Sequence, residues 1–361
     1  MPEYSDKDIN LKLRFKRVLF QMGYYSPIEV ELSQYQALGS ELKRKSLTDL
    51  DVLGLKFDPV LTPHKVVCDC KSGRGVSDPN RLFWLRGVTD YFRANVAYFL
   101  RTKIDSHARA IAPKLGVRTV DEKELQALER DLNVDSLPLP LHNPDFHKGQ
   151  QSLWGIPVPK GAKPTSTQLD LKKVYTYLSY NYWYVEQHRN LFMLVAHFEK
   201  IAHLLDPANP RDILLAYVGV ERFAHCLLEM GSVIYARGIS NIPQNVRIYL
   251  FGGPLALRDR EEFFKLLNKL TGANEPLEPP FLSDTIELTN RIVHNPYAAA
   301  EVLRYLEAIY GWCVQLGNKE LSPVFGGNPL TGAIVLARDI AITFAKATGT
   351  REEMFSCILA L

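Results

Sequence analysis

Cysteine is scarce in this chain and follows no pattern. Five of the 361 residues are cysteine, at positions 68, 70, 226, 313 and 357. Only Cys68 and Cys70 lie close, as C-x-C, and no second pair completes a zinc site. A disulfide framework is excluded, and the usage fits a reducing compartment, with two free thiols on a strand as the plain reading. Long apolar runs are missing too. Nothing approaches the roughly 18 consecutive apolar residues of a membrane span. The opening stretch MPEYSDKDINLKLRFKR carries no apolar core of a secretory signal. The expectation is a cytoplasmic protein with no membrane partner. An excess of one charge is also lacking: 43 Lys and Arg against 40 Asp and Glu leave +3. A nucleic-acid-binding surface would therefore have to be a local basic patch. No Walker A, H-E-x-x-H or G-x-S-x-G motif is present, and no repeat of fixed period.

What is present is an ordinary folding composition, 46% hydrophobic and 23% charged. The length predicts two domains. Residues 8–23 read as a helix, with Leu11, Phe15, Val18, Leu19 and Met22 at helical spacing and Gly23 as the stop. Lys12, Arg14, Lys16 and Arg17 would form its solvated basic face. Extended segments follow at 28–32, 47–57 and 64–72, the last two joined by a short connection containing Asp58-Pro59 and Thr62-Pro63. Then come a helix at 81–94, a strand at 96–102, and a helix at 105–116 between an Asp105 cap and Gly116. A strand at 117–121 and a helix at 122–132 complete an α/β sandwich with a mixed sheet over residues 1–132. Residues 133–167 carry six prolines and read as a linker or irregular arm. Residues 168–361 are mostly helical, at 168–204, 210–237, 259–271, 284–316, 329–347 and 351–360. The segment 246–253 is readable as a strand or a helix end.

Chemistry concentrates on the two central strands. Side chains alternate along a strand, so Asp49, Asp51 and Leu53 share one face, and Val67, Asp69 and Lys71 share a face of the next. Two carboxylates and a lysine can thus converge among apolar neighbours, where charge rarely sits without a purpose or a partner. Phosphodiester hydrolysis supplies a purpose. A divalent metal held by carboxylates lowers the pKa of the attacking water and offsets the charge that grows on the phosphate. Asp51, Asp69 and the Cys70 backbone carbonyl are oxygen donors suited to Mg²⁺ or Mn²⁺. Lys71 can orient the water or neutralise the phosphate. The bland alternative is a salt-bridged Asp69–Lys71 pair.

With Asp51 in TDLDVLG and Asp69-Cys70-Lys71 in VVCDCKSG, the chain resembles the PD-(D/E)xK, or restriction-endonuclease-like, nuclease superfamily. Segment 99–128 is similar to the second half of an Mrr-like core. The resemblance covers about residues 8–132. It implies a Mg²⁺-dependent endonuclease acting on nucleic acid, DNA rather than RNA, in a setting such as restriction or anti-phage defence. The proline of the family name is absent. The Q-x-x-x-Y motif of RecB-like members is missing as well, since Gly87 stands four residues before Tyr91. Members often add a further acidic residue. Asp8, Glu29 and Glu31 are candidates, with Glu31 favoured, and Asp49 could replace Asp51 as ligand. Ser72 and Arg74 are candidate phosphate contacts.

The helical half suggests a sensor, a protein partner or a homo-oligomer. Its aromatic run at 175–198 suits base stacking, but helical core packing uses such residues too. Arg189-Asn190 with His197 approximates the motif of HEPN ribonucleases at a spacing outside their pattern, and Arg291 with His294 reads as a structural pair. A non-catalytic binding protein on a nuclease-like fold is the alternative function.

Overall fold

The computed structural model describes residues 6–38, 41–71, 77–138, 143–155, 164–272 and 276–361. Helix α1 (Asp6–Gln21) leads into strands β1 (Ile28–Leu38), β2 (Glu41–Phe57) and β3 (Pro63–Lys71). Helix α2 (Asp78–Phe92) crosses to β4 (Val96–Arg101). Helix α3 (Ser106–Ile111) with a 3₁₀ turn leads to β5 (Val117–Val120), and α4 (Glu122–Asp131) follows. The strands lie in sequence order in one sheet. The first three are antiparallel, whereas β3–β4 and β4–β5 are parallel. The mixed sheet read from the sequence is therefore present. Its first hairpin is longer than the apolar pattern indicated, because residues 33–46 are mostly polar and give no alternation to read.

Both faces of the sheet are covered. Val52, Val66, Cys68, Cys70, Tyr98 and Leu100 pack against Leu11, Phe15, Val18 and Leu19 of α1 and Leu125 of α4. Leu53, Leu55, Phe57, Val67, Ala97 and Phe99 face Leu82 and Leu85 of α2, and this apolar cluster continues without a break into the helical half. Local chemistry sets the element ends as expected. Asp105 caps α3 by accepting the His107 N–H at 3.2 Å, and Gly116 closes that segment at φ +66°.

Segment 133–167 contains a ten-residue helix, α5 (Pro144–Leu153), started by an Asn143 cap and a proline at its first position. The helices beyond it are α6 (Ser166–Thr176), α7 (Tyr182–Tyr184), α8 (Gln187–Glu199), α9 (Pro210–Arg237), α10 (Ile242–Leu250), α11 (Pro254–Thr271), α12 (Leu282–His294), α13 (Pro296–Ala308), α14 (Ser322–Phe325), α15 (Thr331–Thr348) and α16 (Ser356–Leu359). The expected helix at 168–204 is broken by a π turn at Tyr177–Asn181 and extended backbone at Val185. The one expected at 284–316 is broken at Asn295-Pro296, because proline cannot donate the interior hydrogen bond. Residues 246–250 are helical, and the strand reading of 246–253 is set aside. Among the described residues, no helix is long and apolar enough to cross a membrane.

Helix α9 runs through the helical half with 18 of its 28 residues buried, as a helix surrounded by other helices requires. Glu221, Arg222 and Glu229 tie it to the sheet side. The Tyr25 hydroxyl donates to Glu221 at 2.6 Å and accepts from Arg222 at 2.8 Å. Lys65 of β3 meets Glu229 at 2.9 Å.

Candidate active site

The site lies where the β2–β3 ladder ends. Val52 and Cys68 are the last paired residues. Beyond them the Asp51 carboxylate accepts the Cys70 N–H at 2.7 Å, in place of backbone pairing. Asp51 and Asp69 are 4% and 1% exposed. Lys71 Nζ stands between them, 3.1 Å from Asp51 Oδ2 and 3.3 Å from Asp69 Oδ1. The three residues singled out from strand parity therefore meet, because two adjacent strands present them to the same side.

Two cations that the sequence did not reveal complete the cluster. Lys12 of α1 is 2.9 Å from Asp51 Oδ1 and 3.4 Å from Glu29. Arg81 of α2 takes Asp69 in a two-point grip, Nε to Oδ2 at 2.8 Å and Nη2 to Oδ1 at 2.7 Å. The geometry follows from the crossover. Helix α2 joins two parallel strands, so it must start above the C-terminal end of β3 and run back over the sheet. That brings its first turn over Asp69. The Arg81 guanidinium also lies 3.6 Å from the Trp84 ring centre, which holds it in place.

The expected solvated face of α1 is a correction. Lys12 and Lys16 are 2% and 8% exposed. Lys16 pairs with Glu307 of α13. Arg14 holds Glu122 and Glu129, at 2.8 and 2.6 Å, and Arg17 meets Asp135 at 3.1 Å. Sheet and helical half enclose α1 on two sides, so Lys12 and Lys16 are buried, Arg14 and Arg17 are half-buried, and each charge has an opposite one.

The acidic candidates separate clearly. Asp51, not Asp49, joins the cluster, and Asp49 is exposed. Glu29, not the favoured Glu31, reaches it through Lys12; Glu31 accepts from Ser33 at 2.8 Å. Glu29 has φ +55°, a left-handed conformation that costs a non-glycine residue about 1 kcal/mol or more. Residues 29 and 31 share parity, so alternation alone could not separate them. Ser72 and Arg74 lie outside the described residues.

Burial and neighbours push the two aspartates apart. Burial works to raise both. At Asp51 the Lys12 and Lys71 charges overcome it, and its pKa falls below the usual carboxylate value. At Asp69 burial wins over Arg81 and Lys71, helped by the nearby Asp51 charge, and its pKa rises. Lys71 is held protonated, since the pull of Asp51 and Asp69 exceeds the effect of its burial. A carboxylate pair with divergent pKa values is a frequent active-site arrangement.

All four oxygens of Asp51 and Asp69 thus have an N–H partner. Among the described residues, no group of three or more His, Cys, Asp or Glu side chains forms a metal-binding cluster. The donors nevertheless suit a hard divalent ion. They are carboxylate oxygens from adjacent strands, and Mg²⁺ commonly uses one or two carboxylates with water and phosphate; Lys71 and Arg81 now take those oxygens and would have to give way. A cleft of about 910 Å³ opens at the C-terminal end of β4, lined in part by Arg14, Asp78, Arg101, Lys103 and His107. None of Asp51, Asp69 and Lys71 lines it; Arg101 of its wall pairs in register with Lys71 and is held by Asp78.

The other candidates have structural partners. Cys68 and Cys70 are buried free thiols 3.5 Å apart. Arg189 is exposed beside Glu186 at 3.7 Å, while His197 packs on the Tyr177 ring at 4.6 Å between centres. Asn190, between them in sequence, is buried and accepts the Tyr177 hydroxyl at 2.8 Å, securing the π turn. Arg291 binds Asp339 at 2.7 Å, and His294 Nδ1 contacts the Asn290 carbonyl at 2.8 Å. Comparison with protein-family models, curated proteins and solved structures found no match to this chain.

Proposed function

We propose that the protein is a divalent-metal-dependent phosphodiesterase that hydrolyses nucleic acid, with DNA the favoured substrate. The observation that carries this reading is the bridging of Asp51 and Asp69 by Lys71, from adjacent strands, at a sheet end. The resemblance to the PD-(D/E)xK superfamily supports it. In this reading Asp51, Asp69 and the Cys70 carbonyl hold Mg²⁺ or Mn²⁺, which when bound polarises the phosphate and acidifies a water. Asp51, ionised by its two lysines, supplies the stable negative charge. Lys71 is two residues from Asp69 and partly exposed, so it can turn its ammonium to the attacked phosphate or align the nucleophile. The N–H of Cys70 fixes the Asp51 carboxylate, and Glu29 balances Lys12.

A second reading, a non-catalytic binding protein on this scaffold, draws on one observation: the cluster is already charge-balanced, with Lys12, Lys71 and Arg81 against Glu29, Asp51 and Asp69. Incubation of the full chain with single- and double-stranded DNA and RNA, with Mg²⁺, with Mn²⁺ or with EDTA, separates the two. The nuclease reading expects metal-dependent products that vanish in Asp69→Ala and Lys71→Ala while the fold is kept. Cleavage that survives both substitutions or persists in EDTA sinks it. Binding without any product favours the second reading.

A further inference from the structure

Helix α11 is poorly accounted for by the fold around it. It is 18 residues long, and Leu257 is its only buried residue. Its inner face is held by that leucine, by Arg247 to Glu261 at 3.2 Å and by Arg260 over the Phe251 ring at 5.6 Å. The opposite face is apolar and open. Leu255, Phe263, Leu266 and Leu270 are 66, 60, 55 and 75% exposed. At helical geometry these four side chains fall within an arc of about 80°. Helices of this length draw most of their stability from a packed apolar face. Here the apolar face points away from the protein, and four large apolar groups in one stripe are more than the scattered single exposures of ordinary surfaces.

We propose that this face is a self-association surface, on which a second copy of the chain packs its own α11 antiparallel. The argument for a second copy is the order of charges beside the stripe. Glu262 lies in the N-terminal half of α11, with Asp259 inside the apolar arc, and Lys265 and Lys269 lie in the C-terminal half. Glu262, Lys265 and Lys269 border the same edge of the stripe. In an antiparallel pair centred between Phe263 and Leu266, Glu262 of each copy comes opposite Lys265 and Lys269 of the other, and the twofold axis repeats the match. A parallel pair would instead bring opposite edges of the stripe together, where Glu262 finds no lysine. Within one chain these acids find only weak partners, Arg258 standing 3.8 Å from Asp259 and 3.9 Å from Glu262. An anionic lipid surface fits less well, because Asp259 lies inside the apolar arc and Glu262 borders it, so both would face the lipid charge.

Sedimentation equilibrium of the full chain tests this. A contact limited to one helix pair is below the size of tight interfaces, so association is sought at tens of micromolar, roughly. The expected result is a species of twice 41.0 kDa that Leu266→Asp converts to monomer. Lys265→Glu with Lys269→Glu weakens the dimer at least about tenfold, and adding Glu262→Lys restores it. These residues face away from the protein, and far-UV circular dichroism verifies that each variant keeps its helices. A wild-type monomer at that concentration overturns the proposal, as does a dimer indifferent to Leu266→Asp. Binding of a monomer to anionic phospholipid vesicles through the same residues also overturns it.

Discussion

Arg81 holds both oxygens of Asp69, at 2.8 and 2.7 Å, from the first turn of the helix that follows the strand carrying Asp69. A guanidinium in this position satisfies the carboxylate as a metal ion would, and so competes with one. If Asp69 is a metal ligand, Arg81→Gln should raise the affinity for Mn²⁺ at least about tenfold, measured by titration calorimetry. Adding Asp69→Asn should abolish the gain. Unchanged binding in Arg81→Gln, alongside binding that depends on Asp69, would show that Arg81 is not the competitor while leaving the metal reading intact.

Lys12 serves two carboxylates at once, Asp51 and Glu29, and is almost fully buried. Lys12→Met keeps much of the volume and removes the charge, leaving the buried Asp51 and the half-buried Glu29 short of a cation. The expected loss is about 3–5 kcal/mol of stability, read from urea unfolding. Adding Asp51→Asn should recover part of it. A change within a few tenths of a kcal/mol would mean that water reaches this cluster freely.

Glu221 introduces a pH dependence of definite sign. Its burial, only partly offset by Arg222 and the Tyr25 hydroxyl and reinforced by Glu307, raises its pKa to about 7. The folded protein therefore holds a proton that the unfolded chain has released. There is no penalty below the unfolded value. Stability falls as pH rises from there through about 7, by at most about 3 kcal/mol. Glu221→Gln keeps an acceptor for Tyr25 and cannot ionise. It should be more stable than the wild type at pH 8 and show a flatter profile from pH 5 to 8 in thermal unfolding. A parallel profile would indicate that Glu221 does not titrate in this range.

Two helical glycines should respond oppositely to alanine. A Cβ on Gly219 of α9 would lie 2.5 Å from Phe198 Cζ and 2.9 Å from Phe344 Cζ. Overpacking should outweigh the helix propensity gained, so Gly219→Ala should lose about 1–3 kcal/mol. Gly87 of α2 has nothing within 4 Å of that position, and Gly87→Ala should gain about 0.5–1 kcal/mol. Denaturant midpoints of both variants decide. A stabilised Gly219→Ala would contradict the close packing of α8, α9 and α15.

Most elements of the first 132 residues are legible from local signals, among them apolar strand runs, the Asp105 cap and the turn at Gly116, whereas the polar outer part of the first hairpin carries none. The helical half was read less well. The break after Thr176 depends on the buried Asn190 contacts, which involve residues eight or more positions apart. Helix α5 was hidden by a proline-rich setting, although Asn143 and Pro144 form a regular helix start.

That Asp51, Asp69 and Lys71 can share one side of a hairpin follows from alternation along the chain, since side chains alternate on strands whatever surrounds them. Their neighbours follow from the folding of distant elements onto one another. Lys12 is 39 positions from Asp51, and Arg81 reaches Asp69 only because a parallel crossover returns α2 over the sheet. The pairing of distant charges depends on which elements bury one another. Burial likewise decided that the basic stripe of α1 faces acids rather than water, and that the apolar stripe of α11 faces outward.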